Sequence, residues 1–279
     1  MFKKISTAAG VALLSLGLSQ AAQAGTLHNG WNYSIDAFND GSGGTDYEIQ
    51  GLAIKQTADS VFVSVTGGSA LTGSSYRHAA DGNIGWTDLM FNFSGEDYST
   101  AADSGSLFGI HFADNNDSDV GQVGVYQVDT AKTVYSDNAG YSSLQQYYNY
   151  GWDKENTMGD IATKQEAYDY FGATTAVRSS IASGTFLGGL SFLTAQEAAD
   201  EGLDFSNFDT TSPETHTLKF DRSLLPSGEF IASVFMECLN DGIGLHGTME
   251  DVPEPSAMGG LAFLGLLGAK RLRRKQAAA

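Results

Sequence analysis

The stretch Asp46–Lys55 (DYEIQGLAIK) followed by Ser60–Thr66 (SVFVSVT) decides how this chain is to be read. The second run alternates β-branched or aromatic residues with small polar ones. That two-residue period places one set of side chains on a sheet's buried face and the other set opposite. The first run alternates in part, and Gln56-Thr57-Ala58-Asp59 between them has turn chemistry, so the two predict a β-hairpin. The same pattern recurs outward at Gly85–Phe93 (GWTDLMFNF), Leu107–Phe112 (LFGIHF), Gln122–Val128 (QVGVYQV), Gly184–Leu193, Glu214–Phe220 (ETHTLKF) and Phe230–Cys238 (FIASVFMEC). At least eight strands joined by loops of uneven length predict a mainly β fold, a β-sandwich or jelly roll. One or two short helices interrupt it. Thr194-Ala195-Gln196-Glu197 reads as a capping box, and Thr163–Phe171 (TKQEAYDYF) is a second, weaker helical stretch. No internal repeat and no Pro-rich linker divides the middle of the chain. Residues 25–252 are therefore expected to be one domain, long enough to bury a core without disulfides.

Two flanking segments do not belong to that pattern. Residues 1–24 open with Lys3 and Lys4, continue through the apolar run Val11–Leu18 and end in Ala22-Gln23-Ala24. This order predicts a secretory signal helix, with Ala22 and Ala24 at the small-x-small cleavage site and a mature chain starting at Gly25. Residues 253–279 begin with Pro253-Glu254-Pro255, run through the apolar Ala257–Ala269 and end in Lys270, Arg271, Arg273, Arg274 and Lys275. The apolar run would be about 20 Å of helix, at about 1.5 Å per residue. That is short of the roughly 30 Å of a hydrocarbon core, so the predicted hydrophobic helix is a marginal span. The basic cluster would act as a stop that keeps the far end in the cytoplasm.

The triplet, hydrophobic stretch and Arg-rich terminus resemble the PEP-CTERM sorting signal of Gram-negative bacteria. That resemblance implies an ordered set of partners: signal peptidase, then exosortase, a membrane transpeptidase-like cysteine protease that cuts near the triplet. It also implies transient inner-membrane anchoring, followed by release to the cell surface or extracellular matrix. The body carries a second likeness. Tyr47–Ile54 (YEIQGLAI), Ile84–Leu89 (IGWTDL) and Phe235–Asp241 (FMECLND) resemble exosortase-dependent surface proteins, particularly those of cyanobacteria. Those look like β-sandwiches with a strand-then-Cys-x-Asn-Asp segment just before the sorting tail. Here Leu239 stands where a small residue such as Gly is expected. The likeness implies a surface-protein class and association with biofilm or extracellular polysaccharide, without an assigned activity.

Composition narrows the function classes. The chain holds 15 Lys plus Arg against 33 Asp plus Glu, a net charge of −18. The two flanking segments hold 7 of the basic residues and one acid, so the body has 8 basic and 32 acidic residues, a net −24. So acidic a body has no means to neutralise phosphates, and nucleic acid is excluded as a general partner. It should repel anionic polymers unless cations bridge the two. The single cysteine, Cys238, rules out an intramolecular disulfide framework and a Cys-based zinc site.

Candidate chemistry in the body is sparse. Cys238 has His246 near it in sequence, but a small buried thiol at a strand end is the preferred reading. His28, His78, His111 and His216 show no ligand spacing. No catalytic residues are expected. With so many acids a glycosidase pair cannot be singled out, so a secreted glycan hydrolase stays an alternative. No cofactor is expected, with calcium as the one candidate. Its oxygen donors would be Asp114, Asn116, Asp117 and Asp119, in a loop that lacks the EF-hand spacing. Asn39-Asp40-Gly41 with Asp46 and Glu48 forms a second donor-rich stretch. Tyr141, Tyr147, Tyr148, Tyr150 and Trp152 cluster within twelve residues. If exposed, Tyr147, Tyr148, Tyr150 and Trp152 could stack on sugar rings, which gives a carbohydrate-binding module as the other alternative. The first expectation is a non-enzymatic, secreted or surface-displayed protein.

Overall fold

A computed structural model describes residues 25–38, 40, 45–151 and 157–251. The signal and sorting residues named above, including Ala22, Ala24, Pro253, Glu254, Pro255, Lys270, Arg271, Arg273, Arg274 and Lys275, lie outside the described residues, as do Asn39, Gly41 and Trp152.

Every sheet of the described chain is antiparallel, and the fold is mainly β. One six-stranded sheet runs in the order β1 (Thr26–His28), β2 (Trp31–Ile35), β3 (Ile49–Gln56), β4 (Ser60–Gly67), β12 (Glu214–Asp221) and β11 (Ser191–Leu193). The other runs β10 (Ser180–Gly188), β9 (Gly124–Lys132), β8 (Leu107–His111), β7 (Leu89–Asn92), β13 (Gly228–Phe235) and β14 (Gly242–Met249). A two-stranded piece, β5 (Ser74–Ser75) with β6 (Asn83–Ile84), lies between β4 and β7 in the chain. The helices are α1 (Tyr98–Asp103), α2 (Leu144–Tyr150), α3 (Lys164–Phe171) and α4 (Ala195–Asp200).

The expected hairpin forms. Lys55 faces Phe62 and Gln56 faces Val61 across β3 and β4, and Thr57 N–H closes the turn on Ser60 O at 2.8 Å. The alternation then sorts side chains between layers. Val61, Val63 and Val65 of β4 join Phe91 of β7 and Phe230, Ala232 and Val234 of β13 in one cluster fed by both large sheets. Two sheets sharing their inner faces are compatible with a β-sandwich. Phe62, from the opposite face of β4, packs with Trp31, Tyr33, Ala53 and Phe205. On the far side of the second sheet, Met90, Tyr126, Ile181 and Phe235 pack with Tyr98 of α1, Leu144 and Tyr147 of α2, and Phe171 of α3. Both sheets are thus covered on two faces, which explains why β4 is buried at every position and not at alternate ones.

Both capping boxes exist. Thr194 and Glu197 exchange bonds at the start of α4, and Thr163 and Glu166 do so at the start of α3. Seven elements were not expected: β1, β2, β5, β6, α1, α2 and β14. The sequence of β14, GIGLHGTM, is weakened as a strand signal by three glycines. Their absence of side chains is a packing requirement. A Cβ at Gly244 would lie 2.5 Å from Ile161 Cδ1, and one at Gly242 would enter the Phe235 ring.

Candidate functional site

Among the described residues, five of the six buried carboxylates, all but Glu48, form three groups with the atoms they hold, and each group ties together segments distant in sequence. Asp88 lies just before β7 and is fully buried. Its Oδ1 meets His111 Nδ1 at 2.9 Å and accepts from Asn116 Nδ2 at 3.0 Å. Its Oδ2 accepts from the Ile181 backbone N–H at 2.7 Å and from the Ser118 hydroxyl. The other ring nitrogen of His111 is buried without a partner.

Glu237 lies beyond β13, 2 % exposed. Its two oxygens accept backbone N–H groups from Gly85 at 2.7 Å and Asp117 at 2.6 Å. Burial pushes its carboxyl up to about 8 despite those bonds, with the charges of Asp117 and Asp81 acting in the same direction.

The third group is Asp36, Asp40 and Asp241, whose oxygens lie within 4.8 Å of one another. Asp36 follows β2. Its Oδ1 accepts from Ala37 N at 2.9 Å, Gly159 N at 3.0 Å and Thr157 Oγ1 at 3.2 Å. Gly159 can present its N–H there because it adopts φ +60, a conformation that glycine reaches without strain. Asp40 Oδ2 accepts from Thr157 N at 3.2 Å. Asp241 sits in the turn from β13 to β14. Its Oδ2 accepts from Ile49 N at 2.6 Å and its Oδ1 from Gly242 N at 2.7 Å. Burial holds the Asp36 carboxyl well above the usual carboxylate range, and the Asp40 charge adds to this. Burial does the same for Asp241, joined by the charges of Asp36, Asp40 and Glu48. Beside them stand Tyr147 and Tyr148 of α2, whose hydroxyls are buried without a partner. Burial first, then the charges of these three aspartates, raises both phenols.

The aromatic cluster is placed differently from the expectation. Tyr147 and Tyr148 are 0 % and 2 % exposed, so neither faces a glycan. The reason is helical geometry: in α2 the two rings turn onto Leu144, Phe171 and the sheet beneath, an arrangement that alternation along a strand does not give. Tyr150, at the helix end, is 72 % exposed and Tyr141 is half-buried.

The loop singled out for calcium is largely engaged within the protein. Asn116 bonds Asp88 and also accepts from Ser118 N at 3.1 Å. Asp117 accepts from Asn138 Nδ2 at 2.6 Å, and Asp119 pairs with Lys132 at 2.6 Å. Asp114 is exposed. Among the described residues, the one set of three acidic, His or Cys side chains that converges on a point is Asp36, Asp40 and Asp241. Of these, Asp40 stood in the second donor-rich stretch and Asp241 in the Cys-x-Asn-Asp segment, whereas Asp36 carried no signal.

Cys238 is buried, and burial pushes its thiol up to about 12, far from the thiolate needed for attack. Leu239 adopts φ +52, the left-handed conformation that explains why a glycine is expected there. A shallow depression of about 450 Å³, lined by Asp59, Lys219 and Asp221 among others, contains none of the raised carboxylates. No helix of the described residues is long and apolar enough to cross a membrane. Compared with family models, with curated proteins and with solved structures, the chain matches none.

Proposed function

We propose that the chain is a non-enzymatic surface or matrix protein, a β-sandwich carried out of the cytoplasm by its signal, held briefly in the inner membrane by its tail and released by exosortase. The observation that carries this reading is the fit of the folded body between the two sequence signals. Among the described residues the first strand starts at Thr26, two residues beyond Ala24, and the last ends at Met249, four residues before Pro253. Glu250 is still fastened, its carbonyl accepting from Arg222 at 2.7 Å and its N–H donating to Gln56 at 2.9 Å. Cuts at Ala24 and near the Pro-Glu-Pro triplet would therefore leave every described strand intact.

The non-enzymatic part rests on the raised carboxylates. Glu237, Asp36 and Asp241 are sealed from solvent and each accepts backbone N–H groups, which favours a role inside the fold over contact with a substrate. Attachment to extracellular polysaccharide would then depend on divalent cations bridging a body of net charge −24 to anionic polymer. Intact-mass measurement of the protein taken from the cell surface tests the reading. A mass corresponding to residues 25 to about 255 is expected, and one retaining residues 256–279 refutes processing.

A further inference from the structure

We propose that Asp36, Asp40 and Asp241 form a buried calcium site, closed from the α2 side by the hydroxyls of Tyr147 and Tyr148. Acidic residues gather for many reasons, so the second observation matters. Asp36 Oδ2, Tyr147 Oη and Tyr148 Oη are three buried polar atoms without a partner, in residues 4 %, 0 % and 2 % exposed. Buried polar atoms are almost always satisfied. Both hydroxyls lie in the field of the three carboxylates, yet neither donates to one. Asp36 Oδ2 and the two phenol oxygens thus keep unused donor or acceptor capacity beside the three carboxylates, the second observation that points to a ligand.

The donor chemistry selects the ion. The set is all oxygen, three carboxylates with neutral hydroxyls and no imidazole or thiol, which disfavours zinc and suits a hard cation. Oxygens on opposite sides of calcium stand about 4.6–5.2 Å apart, given bond lengths of about 2.3–2.6 Å. One oxygen from each aspartate lies within 4.8 Å of the others, a spacing that one such ion can bridge with a small adjustment of the side chains. Magnesium favours a compact octahedron that retains several waters, which suits an open site better than one built from buried side chains.

The site would act as a staple. Asp36 leads out of β2, Asp241 joins β13 to β14, and Tyr147 and Tyr148 belong to the helical cover of the second sheet. Asp241 already reaches across 192 residues to Ile49. Calcium at their centre would bind the start of the chain, its last hairpin and α2 into one unit. Extracellular calcium modules bind at about 10⁻⁴–10⁻³ M, so at about 100 times the dissociation constant the folding equilibrium shifts about 100-fold toward the native state.

The purified full chain, stripped with EDTA and titrated with calcium chloride alone, tests this. Elemental analysis after dialysis should find about one calcium per chain, and the melting temperature lost to EDTA should return with calcium. Terbium should replace calcium and show luminescence on tyrosine excitation. Asp36→Asn and Asp241→Asn should abolish retention, whereas Asp119→Asn, on the engaged loop, should leave it unchanged. Tyr147→Phe keeps the ring and serves if the aspartate variants do not fold: terbium luminescence should weaken while the fold persists. Absence of retained calcium at millimolar concentration, with an unchanged melting temperature and no terbium signal, overturns the proposal. Retention of magnesium or zinc in its place overturns the calcium assignment.

Discussion

Replacing Glu237 with Gln should make the protein less stable in acid and more stable in alkali, with the two stability curves crossing. Glu237 is protonated in the folded chain up to about pH 8 and in the unfolded chain only up to its ordinary 4.5. Between those values the folded state binds one more proton than the unfolded state, so stability falls as pH rises. At about 1.4 kcal/mol per pH unit, the wild-type chain loses about 5 kcal/mol from this group between pH 4.5 and pH 9. Gln has no such titration. It has one carbonyl oxygen, however, for two backbone donors, Gly85 N–H and Asp117 N–H. One of them is left unsatisfied, at about 1–3 kcal/mol.

The variant should therefore be about 1–3 kcal/mol less stable near pH 4 and about 2–4 kcal/mol more stable near pH 9, with the crossing near pH 6. Urea unfolding followed by the fluorescence of Trp31 and Trp86, both fully buried, supplies the stabilities. The two chains are compared at each pH with EDTA present. Asp160, raised to about 6 by burial, contributes equally to both and cancels in the difference. A difference between the chains that stays constant from pH 5 to pH 9 refutes the reasoning, because it would mean that Glu237 has an ordinary acidity in the fold.

Two further substitutions probe the packing. Gly242→Ala places a methyl group in the ring of Phe235, which is itself 1 % exposed, and should lower stability by about 1–3 kcal/mol in the same urea assay. Tyr147→Ala should cost about 3–5 kcal/mol, as other buried aromatic truncations do. Tyr150→Ala, at a 72 % exposed ring, should stay within about 0.5 kcal/mol of wild type, and equal losses at the two positions would contradict the helical placement of α2.

Local chemistry was legible and distant convergence was not. The β3–β4 hairpin could be read because β-branched alternation and a four-residue turn carry their information within about twenty residues. Helix α4 could be read for the same reason, since Thr194 and Glu197 announce its start. Strand β14 could not, because its glycines answer to Ile161 and to the Phe235 and Phe230 rings, and those contacts exist only after folding. The tyrosines were visible as a cluster, but their burial depends on α2 lying against the second sheet. Asp36, Asp40 and Asp241 had the same difficulty in stronger form. Asp40 and Asp241 stood in conspicuous segments, and nothing local says that those segments meet.

The acidity of the body has a structural use that net charge conceals. Irregular loops, strand ends and edge strands leave backbone N–H groups without ladder partners, and a buried N–H requires an acceptor. In this chain carboxylates meet that need: Glu237 holds Gly85 and Asp117 and Asp36 holds Gly159 in loops, while Asp88 holds Ile181 of the edge strand β10, Asp241 holds Ile49 at the start of β3, and Asp160 holds His246 of the edge strand β14. Lys and Arg cannot accept hydrogen bonds, so a protein that fastens its backbone in this way accumulates acid without matching base. The consequence is a directional sensitivity. Burial raises Glu237, Asp160, Asp36 and Asp241 together, so each is stabilised by taking up a proton and strained by losing one. Without bound cations, stability should fall as pH rises through about 6 and then about 8, opposite to a protein held together by ion-paired carboxylates. A cation at Asp36, Asp40 and Asp241 would relieve the part of that strain due to their mutual repulsion and would leave the part due to Glu237. Calcium and acid should therefore stabilise the protein by overlapping but separable amounts.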